Sequence, residues 1–316
     1  MIANQKTADQ LKVDAFLQEF VAELTKAYGN EIDFILLFGS AARGEFILGK
    51  SDVDLIIQVK SDSAVKTVEA FAERLFWRLD EKYGMQFRQV VSTGAGQGIM
   101  EDALKFLEKQ ARLYKPFEVF GPNDIDWGRG KIKRLDLLPG ATLVASQLTL
   151  LYKMKHEGMI LYGRGILPEI QPRFTAWEKI KALWVPQGVA FAAVVLAPLL
   201  PKKAVGYAVK ALFYELDSVN LFLKSEIPPD GAKIEGFASA TEFKEKLLDD
   251  VRFYLELKLG LLSEQKREFV MEAARIKRNG FEDGSGRWAA LRFSLRAFGV
   301  IWETNTAAIL KAGASL

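Results

Sequence analysis

Residues 38–59 of this chain read FGSAARGEFILGKSDVDLIIQV, and this stretch decides the fold. The apolar run at residues 32–38 predicts a buried β-strand, and residues 52–59 predict a second one. Between them, Gly39 and Ser40 follow the first strand and are expected to open a short helix. The stretch therefore predicts two strands joined by a turn that carries polar groups.

Four polar positions of this stretch suit a phosphate-bearing ligand. Gly39 lets a phosphate approach the backbone closely, and Ser40 adds a hydroxyl donor. Asp52 and Asp54 are two residues apart on a predicted strand, so their side chains share one face. Two such carboxylates repel each other unless a cation lies between them, and Mg²⁺ prefers carboxylate and phosphate oxygens. The pattern predicts phosphoryl or nucleotidyl transfer.

The stretch resembles the signature of the DNA-polymerase-β-like nucleotidyltransferases, in which apolar-Gly-Ser is followed by Asp-apolar-Asp-apolar. Residues 42–45, ARGE, and Ser51 match the minimal nucleotidyltransferase subgroup. The close likeness covers residues 33–60, and a looser one continues to residue 167 through HEGMILYGRG. The resemblance implies transfer of a nucleoside monophosphate from an NTP, expected to be ATP, to a hydroxyl acceptor. Pyrophosphate would be released, with Mg²⁺ or Mn²⁺ as the cofactor.

The resemblance also assigns roles to individual residues. Asp52 and Asp54 are expected to be catalytic and to bind the metal. The expected nucleotide contacts are Gly39, Ser40, Arg43 and Ser51.

The family has a third carboxylate on a neighbouring strand, as a metal ligand or a general base. Residues 85–92, MQFRQVVS, are the expected strand, but Gln86 or Arg88 takes the equivalent position and neither can act as a base. Glu118, flanked by apolar residues, is the alternative catalytic carboxylate. Without a third carboxylate, the chain would be a catalytically degenerate nucleotide-binding protein or a toxin–antitoxin-type interaction protein. The sequence leaves both readings open.

The chain is expected to form two domains. Helices at residues 8–28 and 63–83, with strands at 32–38, 52–59 and 87–91, predict an α/β (α+β) domain with a small mixed sheet over residues 1–168. Later elements of this domain are expected as helices at 101–113 and 141–156 and strands at 117–120 and 159–162. Helical periods dominate afterwards and predict an all-α bundle over residues 169–316. Its expected helices include 209–223, 243–254 and 287–312.

The helical bundle resembles those that accompany minimal nucleotidyltransferases, some of which belong to the HEPN superfamily. The nuclease motif of that superfamily needs Arg and His a few residues apart, and the only histidine is His156, before the bundle. RNA cleavage is therefore not expected. His156 itself is expected at a helix end or on the surface.

The composition narrows the chemistry further. The 316 residues contain no cysteine, which excludes disulfides, zinc-thiolate sites and cysteine nucleophiles. The net charge of +3 suits phosphate-bearing substrates, but a dedicated nucleic-acid binder usually has a denser basic stripe. One small basic cluster could steer an acidic acceptor such as RNA: Arg129, Lys131, Lys133 and Arg134.

Location and partners follow from weaker signals. Residues 182–201 carry no charge, but Pro186 and Gly188 are expected to make a turn before a short buried helix that cannot span a membrane. No signal peptide is visible, so a cytoplasmic protein without membrane contact is expected. The acceptor is left open between a small molecule, a protein side chain and an RNA end, as in a CCA-adding relative. A homodimer and a complex with a partner protein are both compatible with the sequence.

Overall fold

The structure is a computed structural model that describes residues 7–44, 46–49, 51–87, 117–133, 146–223, 264–278 and 286–313. The chain divides into two compact units. The first contains the described residues up to 133 together with 150–172, and the second contains 146–149 and the described residues from 173 onward.

A mixed sheet forms the centre of the first unit. Its strands and those of a small hairpin are β1 (Ile32–Phe38), β2 (Asp54–Val59), β3 (Phe117–Phe120), β4 (Ile125–Asp126), β5 (Lys131–Ile132) and β6 (Met159–Gly163). The sheet order is β3-β2-β1-β6, with β1 antiparallel to β2 and β6, and β2 parallel to β3. Phe38 lies opposite Asp54, so the end of β1 meets the start of β2 at one edge. The small mixed sheet is confirmed.

Two helices, α1 (Ala8–Tyr28) and α2 (Val65–Tyr83), contribute to the apolar core on one face of the sheet. The Thr7 hydroxyl begins α1 by accepting a hydrogen bond from the Gln10 N–H at 3.1 Å. The rings of Phe16 and Phe76 meet edge to face, 5.1 Å apart, and fix the packing of α1 on α2. This layer positions the N-terminal turn of α1 beside the loop that follows β1.

The opposite face of the sheet is covered by the β4–β5 hairpin, by α3 (Gln147–Glu157) and by the segment after β6. Buried Leu151 and Met154 of α3 share a core cluster with Leu36 and Ile56 of the sheet. This packing places the polar side chains of α3 close to the sheet edge that carries Asp54.

Two local predictions differ from the structure. Residues 40–44 form one turn rather than opening a helix, because the N–H of Arg43 donates to Gly39 O (3.2 Å) and Gly44 then turns to φ +78°. Strand β2 begins at Asp54, so Asp52 precedes it.

The prediction of a strand at residues 87–91 is wrong for Phe87. Phe87 is helical, and residues 88–91 lie outside the described part of the chain. Strand β3 pairs in parallel with β2, which confirms the strand predicted at residues 117–120. The helices predicted at 101–113 and 243–254 lie outside the described residues.

The second unit is helical where it is described. It contains α4 (Ala176–Leu196), α5 (Pro201–Leu223), α6 (Glu264–Arg278) and α7 (Arg287–Gly313). Small residues dominate its core, including Ala190, Ala193, Ala204, Ala208 and Ala297, so these helices can approach one another closely. The predicted C-terminal helical bundle is confirmed as a fold class.

Residues 182–196 of the uncharged run belong to one continuous helix, α4. The predicted turn at Pro186 is therefore wrong. Pro186 is buried inside the helix, where it cannot donate to the carbonyl of Ala182. Nearby, Asn305 Nδ2 donates to Leu183 O at 3.2 Å. By length and composition α4 is able to cross a membrane, although the core helix of a soluble protein can be equally long and apolar.

Glu215 predicts how the stability of the second unit depends on pH. Its side chain on α5 is buried, its carboxyl oxygens have no hydrogen-bond partner in the described part of the chain, and burial raises its pKa well above the usual range. The unfolded chain releases this proton near pH ~4.3, so the stability falls as the pH rises above that value. We expect Glu215→Gln to raise the melting temperature by a few degrees at pH 8.

The variant should melt close to the wild type near pH 4.5, where the buried side chain of the folded protein is uncharged in both proteins. Differential scanning calorimetry between pH 4.5 and 8 checks this. A constant offset at every pH would show that proton binding by Glu215 is not the cause.

Candidate active site

The aspartates lie at the edge where β1 ends and β2 begins. Asp54 is opposite Phe38 in the register, and Gly39 follows with φ +77°. A Cβ atom on Gly39 would lie 2.4 Å from Asp54 Oδ2, so the carboxylate rests directly against the glycine backbone. Glycine is required here both by the left-handed backbone and by the approach of Asp54.

The electrostatics of Asp54 are unusual for an aspartate. The pKa of Asp54 is raised to about 7, mainly because its carboxyl group is removed from water and next because Asp52 repels its charged form. Lys153 and Arg43 lower the pKa of Asp54, and Glu157 raises it, by smaller amounts. Two further carboxylates and two cations therefore lie close enough to Asp54 to change its pKa. The carboxyl pair remains poorly compensated, as expected where a cation completes the site.

Two of these groups, Lys153 and Glu157, were not predicted from the sequence. They are four residues apart on α3 and therefore share one face of that helix. Arg43, a predicted nucleotide contact, forms an ion pair with Glu157, and each side chain is 23% exposed. The only sequence signal was the segment HEGMILYGRG, which contains Glu157 and begins three residues after Lys153. The other residue of this turn, His156, lies at the helix end with its ring 4.3 Å from that of Tyr152.

The loop after β1 is held in place by α1. Asp9 Oδ2 accepts from the Leu48 N–H at 3.0 Å. The buried Gln10 side chain donates to Ala41 O (3.2 Å) and accepts from the Phe46 N–H (3.3 Å). These bonds fix both ends of the turn that contains Ser40 and Arg43.

Ser51 lies at the end of this loop. Its hydroxyl oxygen accepts from the Ile47 N–H at 3.0 Å, and its own N–H donates to Ile47 O at 2.8 Å. The structure thus gives Ser51 a role in closing the loop. Its contact with a nucleotide stays a prediction.

Gln10 offers a test of the loop anchoring. Gln10→Ala would leave the buried Ala41 carbonyl and Phe46 N–H without partners, at a cost of about 1–3 kcal/mol. We expect a lower melting temperature and weaker NTP binding, measured by calorimetry. Lys12→Ala is the matched control, because Lys12 on the same helix makes only an exposed bond to Gly84 O. Equal effects of the two substitutions would contradict a special role for Gln10.

The Glu118 side chain lies on the same face of the sheet as that of Asp54. It pairs with Ile56 in the parallel register, and side chains in register on neighbouring strands point to the same face. Asp54 is two residues before Ile56, so the Cα atoms of Glu118 and Asp54 are roughly 8 Å apart from sheet spacings. Within the described ranges, no group of three His, Cys, Asp or Glu side chains could hold a metal ion. Glu118 is therefore near Asp54 without forming a three-residue metal site with Asp52 and Asp54.

The alternative position for a third carboxylate is not part of this group. Gln86 is exposed and left-handed, at φ +63°, and its Oε1 is 2.8 Å from where a Cβ of Gly49 would lie. Its side chain thus packs on the loop. Arg88 lies outside the described residues.

Residues 17–113 match the model of the nucleotidyltransferase domain family. No curated protein gives a significant match. Among solved structures, the chain is similar to spectinomycin adenyltransferase AAD(9) from Enterococcus faecialis, crystallised with ATP and spectinomycin. The identity is 12% and the TM-score 0.43, over 92% of this chain and 99% of that chain.

The matched segment contains Gly39, Ser40, Arg43, Asp52 and Asp54. This N-terminal part of the chain is therefore similar to a nucleotidyltransferase domain. Glu118 and the site residues of α3 lie beyond the match.

Proposed function

We propose that this protein transfers a nucleoside monophosphate from an NTP, expected to be ATP, to a hydroxyl group of an acceptor. The observation that carries the proposal is the position of Asp54, against the backbone of Gly39 and next to Asp52. Arg43 and Lys153 add positive charge within electrostatic reach of Asp54. An anionic triphosphate with a divalent cation would complement both the carboxylates and these cations.

The carboxylate pair suits Mg²⁺ or Mn²⁺. Mg²⁺ is commonly held by one or two protein carboxylates, with waters and substrate phosphates completing its coordination. Asp52 and Asp54 would supply these carboxylates, and the pKa of Asp54, raised to about 7, fits a carboxylate whose charge Arg43 and Lys153 offset only in part. When bound, the metal neutralises charge that develops on the phosphates.

The chain's own groups would orient the nucleotide. The turn after β1 offers Ser40 as a hydroxyl donor beside a glycine that lets phosphate oxygens come close. Arg43 is held by Glu157, which keeps its guanidinium at the site, and Lys153 reaches the same region from α3. Both cations would contact phosphate oxygens.

The reaction exchanges one phosphorus–oxygen bond for another. The acceptor hydroxyl oxygen would bond to the α-phosphorus, the bond from the α-phosphorus to the bridging oxygen would break, and pyrophosphate would leave with the electron pair. The hydroxyl proton would pass to a carboxylate base. Glu118 is our candidate, because it lies on the same sheet face as Asp54.

We favour a small hydroxylated molecule as the acceptor over RNA. The chain has 43 basic and 40 acidic residues, which leaves little excess charge to attract a polyanion. Within the predicted basic cluster, Arg129 is already near a carboxylate, 3.8 Å from Asp126. A small acceptor does not need an extended basic surface.

A transfer assay with α-phosphate-labelled NTPs tests the proposal. Purified protein and Mg²⁺ would be incubated with panels of small polyhydroxylated molecules, proteins and RNA ends. We expect labelled product with a small molecule, and loss of product in Asp54→Asn. Glu118→Gln should slow transfer about 100-fold while NTP binding is kept. A Glu118→Gln variant with full activity would exclude Glu118 as the base.

One observation favours a second function, a degenerate nucleotide-binding protein. The described residues contain no three-carboxylate metal group, as noted above. This alternative expects Mg²⁺-dependent NTP binding without transfer to any acceptor of the three panels. Transfer that depends on Asp54 would reject it.

A further inference from the structure

One side of α4 is apolar and exposed along its whole length. Every exposed residue of this helix is uncharged, and the set comprises Ala176, Trp177, Ile180, Trp184, Gly188, Phe191, Ala192 and Val195. The helix is about 30 Å long at 1.5 Å per residue. A solvent-facing helix side normally carries charged residues, so the surface of α4 is unusual.

A matching stripe runs along α7. Its exposed apolar side chains recur every seven residues, at Trp288, Leu295, Trp302 and Ile309. Seven residues are close to two helical turns, so these side chains form one line. A regular line of this kind is typical of a helix that packs against another helix.

The two stripes form one surface. The helices pack side by side in opposite directions, since Asn305 contacts Leu183 O and Gln187 Oε1, whereas Phe298 lies 6.3 Å from Phe191. Phe298 also stacks 6.5 Å from the exposed ring of Trp302. We call this surface the α4/α7 face, defined by the exposed apolar residues of both helices.

The α4/α7 face is large enough for a stable protein interface. Its five most exposed aromatic side chains are 54–75% exposed: Trp177, Trp184, Phe191, Trp288 and Trp302. With roughly 150–250 Å² for each side chain, they leave on the order of 600 Å² in water. The aliphatic members bring the face close to the ~800 Å² that each partner contributes to a standard interface.

Charge at the rim favours a protein over an anionic membrane. The exposed charges of α6 and α7 are balanced, since Glu264, Glu268, Glu272 and Glu303 are accompanied by Arg275, Arg287, Arg292 and Arg296. Membrane-surface helices typically have an excess of Lys and Arg beside their apolar side, and these two helices lack such an excess among their exposed residues.

Two glycines leave hollows in the α4/α7 face. Gly188 and Gly299 lie inside helices, where glycine destabilises relative to alanine, and a Cβ atom at either would meet nothing within 4 Å. The chain's own described packing therefore does not require them. Each lies between bulky residues of its stripe, so the face alternates projections with hollows.

We infer that the α4/α7 face is the interface of a homodimer, in which a second copy presents the same two helices across a twofold axis. A twofold interface pairs a surface with its own copy, and a face that carries both projections and hollows offers a hollow for a projection of the second copy. Four helices would then pack together at the interface, two from each copy. The inference is independent of the proposed function.

Sedimentation equilibrium of the full chain from 0.5 to 50 μM tests the inference. We expect the wild type to approach twice the chain mass of 35.4 kDa. Trp184→Lys/Trp302→Lys should raise the dimer dissociation constant at least 100-fold. Leu11→Lys, which changes an exposed apolar residue of α1, is the control and should remain dimeric. Gly299→Leu should also weaken the dimer without lowering the stability of the monomer, because it fills open space there.

Other occupants give different results, and each would overturn the inference. A wild type that stays monomeric and binds phosphatidylglycerol vesicles only while the face is intact would show a membrane surface. A monomer that loses several degrees of melting temperature in Trp184→Lys/Trp302→Lys would show that the chain covers this face itself. A dimer unaffected by that variant would place the interface elsewhere.

Discussion

Replacing Gly39 with alanine is expected to weaken Mg²⁺-dependent NTP binding by about 100-fold, which corresponds to about 3 kcal/mol of binding free energy. The added Cβ would lie 2.4 Å from Asp54 Oδ2, closer than a methyl group and an oxygen can approach. The backbone at φ +77° also disfavours any side chain. Asp54 would therefore be displaced from the position in which it could share a cation with Asp52.

Gly84→Ala is the matched control for backbone strain. Gly84 ends α2 at φ +55°, and the nearest atom to an added Cβ is Lys12 Nζ at 3.8 Å. This variant should lose stability, by about 1 kcal/mol, and keep its NTP affinity. Calorimetric titration and thermal melting of both variants would separate the two effects. If Gly39→Ala binds NTP as tightly as Gly84→Ala, the proposed approach of Asp54 to the phosphate turn is wrong.

The affinity for Mg²⁺ and NTP should rise about tenfold per pH unit between pH 5.5 and 7 and then level off. The pKa of Asp54 is raised to about 7 in the metal-free protein, so below that pH the carboxyl holds a proton that a metal must displace. The same proton makes folding pH-dependent. The folded protein binds it more tightly than the unfolded chain, so the stability falls as the pH rises from ~4 to 7.

Lys153→Met provides the control for this pH profile. Lys153 lowers the pKa of Asp54, so its removal should move the midpoint of the profile to higher pH. Titration of the nucleotide phosphates is common to both proteins and cannot cause the shift. Dissociation constants measured at half-unit pH intervals would detect it. Coincident midpoints for wild type and variant would show that Asp54 does not control the pH dependence.

The elements that local patterns encode were predicted well. Residues 32–38 are a continuous apolar run between turn signals, and they form β1 as predicted. The sequence placed Gly39 and the aspartates in one site because they belong to consecutive strands. The antiparallel register, which places Phe38 opposite Asp54, brings Gly39 and Asp54 together.

Features that depend on distant parts of the chain were not predicted. The choice of residues 117–120 over residues 87–91 as the neighbour of β2 is a parallel pairing across a long connection, which carries no local signal. Lys153 and Glu157 reach the site from α3, about a hundred residues after Asp54, and only tertiary packing reveals them. Pro186 looked like a helix break, yet the surrounding packing keeps α4 continuous through it.

The most direct test of the proposed active site is calorimetric titration of ATP, with and without Mg²⁺, into the wild type and Asp52→Asn/Asp54→Asn. We expect Mg²⁺-dependent binding by the wild type and its loss in the double variant, which should fold normally because it removes two repelling charges. CTP, GTP and UTP would be titrated in parallel to define the base preference. Absence of binding for all four nucleotides, or equal binding by the double variant, would contradict the proposal that Asp52 and Asp54 hold a metal–nucleotide substrate.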